Sequence, residues 1–191
     1  MGRYTARPVT TDEYKLILKT LREGYELDGV KHGPDHKTAA IMVMERNLGM
    51  RLSDIIRLKR ESIVYNGFDY QLNVVEKKTG KGRYFIVNEA VKKFIDDYAD
   101  SVNVAQGMIF KVTEEAVWKA MRNVTKYLKM KDVNTHSIRK LAGLSIYKST
   151  GYDLEAVRAF YQHKSLDVTQ RYLRITPATL RKAINDTVDL G

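Results

Sequence analysis

The sequence predicts a mainly α fold with one small antiparallel β-sheet, an α+β domain. Three observations carry this. Apolar residues recur at helical spacing through most of the chain. Between about residues 62 and 87 the pattern changes to short runs rich in β-branched and aromatic residues. Asn66-Gly67 stands between two of those runs, where it signals a tight hairpin turn. A length of 191 residues with 43% hydrophobic content suits one domain with a sizeable core.

Residues 1–9 read as an extended lead-in. Thr10 or Thr11 caps the first helix, with Asp12 and Glu13 at its positive end. Tyr14, Ile17, Leu18 and Leu21 form its inward face, and Gly24 ends it. Residues 29–36 read as a loop around Gly33-Pro34. A second helix follows, with Ala40, Ile41, Met44 and Leu48 inward, and stops at Gly49. A short helix starts near Leu52, with Ile55 and Ile56 inward. Residues 62–65, 70–75 and 84–87 are the strands, the last two joined by Lys77-Lys78-Thr79-Gly80-Lys81-Gly82. Val91, Phe94, Ile95 and Tyr98 form the stripe of the next helix.

Thr113 caps another helix, with Glu114 and Glu115 in its first turn and Val117, Ala120, Met121, Val124 and Leu128 facing the core. Thr135 is expected to cap the helix carrying His136 and Arg139, which runs to near Gly151. Asp153 caps a short helix to about Phe160, and Ser165 caps another reaching Tyr172. Thr176-Pro177 opens a last helix with Leu180, Ala183, Ile184 and Val188 on one face.

Lysine and arginine number 33 against 23 acidic residues, a formal charge of +10 that predicts a polyanionic partner, most commonly nucleic acid. The basic residues cluster: Arg51, Arg57, Lys59 and Arg60, then Lys77, Lys78, Lys81 and Arg83. There is no cysteine, which excludes disulfides and thiolate metal sites. No apolar run approaches a membrane span, so no membrane partner is expected. Met1-Gly2-Arg3-Tyr4 lacks the apolar stretch of a signal peptide, which predicts a cytoplasmic protein.

The most informative residues form an ordered set. Gly49-Met50-Arg51-Leu52-Ser53-Asp54 opens a helix, and Lys78-Thr79-Gly80 lies in a hairpin turn. His136-Ser137-Ile138-Arg139 comes next, followed by Gln162-His163-Lys164-Ser165 and then Thr169-Gln170-Arg171-Tyr172. Taken singly, each has an ordinary structural explanation, since the chain holds twelve tyrosines and four histidines. In this order they are the parts needed to hold a phosphodiester and attack it with a phenol. Arginine stays charged and presents a fork that matches phosphate oxygens, which suits Arg51 and Arg139 to neutralising a phosphorane.

At these residues the chain resembles the catalytic domain of the tyrosine recombinases, the phage integrase family, from about residue 8 to about residue 185. The resemblance implies a site-specific recombinase that cuts and rejoins double-stranded DNA by transesterification. Tyr172 would be the nucleophile, leaving a 3′-phosphotyrosyl link and a free 5′ hydroxyl. Arg51 and Arg139 would clamp the phosphate, with His136 and His163 donating to its oxygens. Lys78 would protonate the 5′ oxygen, with Lys81 as its rival. Asp54, one helical turn after Arg51, would orient that arginine. Arg57, Lys77, Lys81, Arg83 and Lys164 are candidate DNA contacts. No nucleotide cofactor is expected, because the covalent link stores the bond energy, and no metal is expected, because no carboxylate cluster suggests one and the resemblance implies none for catalysis. The resemblance also implies a tetramer on DNA and a monomer or weak oligomer without it.

Two departures stand out. Tyr161-Gln162-His163 replaces the Leu-Gly-His common in the family, placing a larger side chain beside the site. The chain also begins almost at the catalytic domain, so it reads as one catalytic domain over residues 1–191 without the N-terminal DNA-clamping domain. It is then either a shortened piece or one of the short recombinases, as the fimbrial switch invertases are. The competing readings are a catalytically weak DNA-binding relative and a type IB-like topoisomerase. Tyr161 and Tyr152 are the alternative nucleophiles.

Overall fold

The computed structural model describes residues 6–173. Helix α1 (Thr11–Glu23) starts with a capping box: Thr10 Oγ accepts from Glu13 N–H at 3.1 Å and Glu13 Oε2 accepts from Thr10 N–H at 2.8 Å. A two-stranded hairpin follows, β1 (Tyr25–Leu27) and β2 (Val30–His32), where the sequence predicts loop for residues 30–32. The turn residues Asp28 and Gly29 both have positive φ, 52° and 76°, the backbone that matches strand twist in a two-residue hairpin.

Helix α2 (His36–Leu48) is capped by Asp35, whose Oδ1 accepts from Thr38 N–H at 2.8 Å. Its expected inward residues are buried, and so are Ala39, Met42 and Glu45. A helix whose middle, residues 39–44, is apolar all round belongs at the centre of a fold, and α1 and the later helices of residues 89–101, 114–127 and 135–149 all pack on α2. It ends at Gly49 in the left-handed conformation, φ 56°, where a Cβ would lie 2.2 Å from the Phe160 ring. Only glycine allows that approach. Helix α3 (Leu52–Ile55) begins three residues later.

The sheet has the order β3-β4-β5, all antiparallel, from β3 (Ile63–Tyr65), β4 (Tyr70–Val75) and β5 (Gly82–Val87). Asn66 shapes the first turn, its Oδ1 accepting from the N–H groups of Phe68 and Asp69, both at 2.9 Å. Ile63, Leu72 and Val87 face the core while Val75, Tyr84 and Ile86 face outward. The register pairs Ile63 with Leu72 and Leu72 with Phe85.

Helices α4 (Glu89–Ser101) and α5 (Glu114–Tyr127) carry side-chain caps at Asn88 and Thr113. In α6 (Thr135–Ser149) Thr135 is the first helical residue rather than the cap. Asn134 precedes the helix, and its N–H donates to Ser137 Oγ at 3.0 Å. Helix α7 (Leu154–Tyr161) is capped by Asp153, and α8 (Leu166–Leu173) follows. The helix expected after Thr176-Pro177 lies outside the described residues.

The apolar interior divides in two. The main cluster joins α1 to α6 and the sheet. A small second cluster, Val157, Tyr161 and Leu173, fastens α7 and α8 to α6, with Tyr147, Phe160 and Tyr172 packed around it. Each fully buried large apolar side chain contributes about 1.5–3 kcal/mol. The α7–α8 unit, which carries His163 and Tyr172, is therefore held by far less burial than α2.

Candidate active site

The left-handed Gly49 turns the chain at the end of α2 and delivers Arg51 to the start of α3. Arg51 Nη1 donates to Glu76 Oε2 at 2.6 Å. Glu76 follows the last residue of β4 and is 3% exposed. Its Oε2 also accepts from Thr79 Oγ at 2.9 Å, and its Oε1 accepts from Arg83 Nη1 at 3.1 Å. Burial alone would push this carboxyl up, but hydrogen bonds from Arg51, Thr79 and Arg83 outweigh it and hold the group below the usual carboxylate range.

Two expectations are corrected here. Asp54 was expected to orient Arg51. Instead its Oδ1 accepts from the backbone N–H of Lys77 at 2.8 Å, pinning the β4–β5 hairpin, and Glu76 is the acid on Arg51. Arg83 was expected to touch DNA, yet it is 0% exposed. Beyond Glu76, its Nη2 donates to the carbonyls of Leu48 at 3.1 Å and Phe160 at 2.8 Å. Position 83 faces inward on β5, so this arginine is turned into the protein and away from the surface.

The β4–β5 turn brings Lys78 and Lys81 to a groove shared with Arg51, Glu76, His163 and Lys164. Lys78, Lys81 and Lys164 are exposed there. Lys77 points elsewhere and pairs with Glu114 at 3.6 Å. Arg57 is exposed on a separate shallow groove beside Asn73.

Arg139 arrives from α6 and is 3% exposed. Its Nε donates to the Gly49 carbonyl at 2.8 Å, while its Nη2 is buried without a hydrogen-bond partner among the described residues. Its guanidinium carbon lies 4.8 Å from the Tyr161 ring and 5.7 Å from the Tyr172 ring. His136 is exposed at the start of α6. Loss of water on its protein side, then repulsion from Arg139, Lys140, Arg51 and Lys78, holds its pKa below the ordinary value.

His163 follows Gln162, whose left-handed backbone (φ 53°) ends α7. Its Nδ1 lies 3.0 Å from the hydroxyl of the buried Thr169. Burial first, and the cations Arg139, Arg51 and Arg83 second, push its pKa down to about 4, so the ring is neutral at pH 7.

Tyr172 packs edge-on against Tyr161 at 5.0 Å and His163 at 5.4 Å. Its hydroxyl is buried without a hydrogen-bond partner among the described residues. Burial pushes its pKa up to about 12, against the opposing pull of Arg139. The rival tyrosines are placed for other tasks. Tyr161 is 1% exposed and its hydroxyl donates to the Arg139 carbonyl. Tyr152 is exposed and packs on Tyr147 at 5.3 Å.

The structure thus brings Arg51, Lys78, His136, Arg139, His163 and Tyr172 to one region, and adds residues that sequence reasoning missed. Glu76, Thr169 and Glu45 are buried polar groups. Both Glu45 oxygens lack a partner among the described residues, and burial raises its pKa well above the carboxylate range. Among the described residues no cluster of three or more His, Asp or Glu could hold a metal ion, and no helix is long and apolar enough to cross a membrane.

The chain is similar to proteins of known family. It is 25% identical over 144 residues to the probable integrase/recombinase YoeC of Bacillus subtilis (strain 168), covering 72% of this chain and 77% of that protein. Its fold superposes on the XerH site-specific recombinase, in a post-cleavage complex with a palindromic difH substrate, with a TM-score of 0.69 at 14% identity. That match covers 94% of this chain and 52% of the other, so the chain spans about half the length of XerH. The XerA recombinase matches with a TM-score of 0.68 at 16% identity, over 100% of this chain and 66% of the other. The fold is that of the tyrosine recombinase catalytic domains. Residues 7–179 match the model of the phage integrase family, and the chain belongs to that family.

Proposed function

We propose that this chain is a site-specific DNA recombinase that cuts and rejoins double-stranded DNA through a 3′-phosphotyrosyl link at Tyr172. The observation that carries the reading is the packing of the Tyr172 ring against both His163 and Arg139, beside a groove lined by Arg51 and the hairpin lysines. Arg51 and the unpartnered Nη2 of Arg139 are the groups to bind the non-bridging oxygens. Such preorganised donors are each worth roughly a hundredfold in rate.

In the forward step Tyr172 Oη bonds to phosphorus and the bond from phosphorus to the 5′ oxygen breaks. The leaving oxygen takes a proton from Lys78 or Lys81 in the hairpin turn. The hydrogen bond between His163 Nδ1 and the Thr169 hydroxyl fixes the orientation of the ring; when Thr169 is the donor, the ring proton sits on Nε2, the tautomer that donates to phosphate. His136, kept neutral by its surroundings, then serves to take the phenol proton. A 5′ hydroxyl from another strand reverses these steps and releases the protein. With its hydroxyl buried and its pKa near 12, Tyr172 is a poor nucleophile in the arrangement described. Attack requires α8 to shift so that the hydroxyl meets the phosphate, and the small second cluster is what that shift must disturb. A tetramer on DNA is the assembly this chemistry would use to exchange strands.

The test uses labelled, nicked duplexes tiling the DNA on either side of the gene. Wild type should form a denaturant-resistant protein–DNA adduct and Tyr172→Phe should not. A gel shift without an adduct from wild type would favour a DNA-binding relative. Relaxation of a plasmid lacking the cleaved sequence would favour a topoisomerase.

A further inference from the structure

We infer that Glu76 is a positioning residue for this reaction, setting the guanidinium of Arg51 and tying it through Thr79 to the hairpin turn that carries Lys78 and Lys81. The inference rests on the reading of the groove as a phosphodiester-transfer site. Its warrant is the division of one buried carboxylate among three partners. Oε1 goes to Arg83, an arginine locked by main-chain carbonyls, so that side of Glu76 is fixed to the protein interior. Oε2 goes to Arg51 and to Thr79, one on the phosphate clamp and one on the hairpin turn. The main chain of Glu76 also closes that turn: its N–H donates to the Lys81 carbonyl at 3.0 Å, and its carbonyl accepts from Gly80 N–H at 2.9 Å.

Arg51 would otherwise swing on several rotatable bonds. One bond to Nη1 fixes its plane while leaving other N–H groups of the fork to meet a phosphate. The Thr79 bond sets how far the two hairpin lysines stand from that arginine. Clamp and acid are thereby indexed to the same carboxylate. Asp54 contributes from the other side by holding Lys77 N–H. The hairpin is thus tied to the start of α3 by both acids, Asp54 through the Lys77 backbone and Glu76 through Arg51.

The experiment compares two variants on the duplex that wild type cleaves, made in two forms. One has the natural 5′ oxygen at the cleaved bond and the other has sulfur there. A thiolate leaves without being protonated, so the sulfur form removes the need for a hairpin acid. Thr79→Val, at an exposed position, should form adduct about tenfold more slowly on the oxygen duplex and within threefold of wild type on the sulfur duplex. Glu76→Gln, which also loosens Arg51, should be slowed about a hundredfold on oxygen and remain slow on sulfur. Melting curves for both variants report whether each is folded at the assay temperature. The inference is overturned if folded Glu76→Gln cleaves the oxygen duplex within threefold of wild type. It is equally overturned if Thr79→Val matches wild type there, a result available even where Glu76→Gln does not fold. Absence of adduct from wild type on every duplex would instead remove the reading of the groove itself.

Discussion

Arg83 Nη2 donates to the carbonyl of Phe160 at 2.8 Å, so the β4–β5 hairpin is fastened to the end of α7 from inside the protein. The same arginine bonds Glu76 and the end of α2. It therefore links the element bearing the hairpin lysines, the turn that delivers Arg51, and the helix that precedes His163. Arg83→Met should cost about 3–5 kcal/mol, because it leaves a buried carboxylate short of a partner and two carbonyls unpaired. Urea unfolding measures this. A loss under about 1 kcal/mol would contradict the structural role.

Glu45 gives a pH prediction. Complete burial raises its pKa in the folded protein, and Arg139 opposes only in part. The folded state then holds this proton more tightly than the unfolded chain does. Its contribution to stability is full below the unfolded carboxylate pKa, about 4.3, and is lost as pH rises towards the folded value. Glu45→Gln should flatten the fall in stability above pH 5, and denaturant titrations at pH 5 and pH 8 compare the slopes. Identical slopes for wild type and variant would refute the assignment.

His163 and Thr169 predict an effect on rate without an effect on binding. Thr169→Val keeps the shape of the buried side chain and removes the hydroxyl 3.0 Å from His163 Nδ1. The imidazole then loses the bond that fixes its orientation, and adduct formation should fall by up to about a hundredfold while the gel shift is unchanged. Single-turnover cleavage beside a binding titration separates the two.

The basic groove predicts a salt signature. Withdrawing one cation from a DNA phosphate should reduce the slope of log affinity against log salt by about 0.9. Lys164→Ala and Lys81→Ala, both in the groove, should each show that change. Lys77→Ala should show less, since Lys77 is turned towards Glu114.

Much of this was legible in the sequence because the signals were local. Asn66-Gly67 and the flanking alternation placed β3 and β4, and Ala40, Ile41, Met44 and Leu48 marked the face of α2. The β1–β2 hairpin was missed because its strands have three residues each and bury almost nothing. Arg83 was misread by counting charge along the chain. The period of two puts it on the face of Phe85 and Val87, and that was the available clue. Glu76 had no local clue. Its bond to Arg51 spans 25 positions, and a rule of helical spacing favoured Asp54 instead.

Tyr172 is the residue proposed to carry the DNA. The most direct measurement is mass spectrometry of the trapped wild-type adduct after exhaustive nuclease and protease digestion. A nucleotide remnant joined through phosphate to the peptide containing Tyr172 is the predicted result. The same remnant on Tyr161, Tyr152 or a residue other than tyrosine would contradict it.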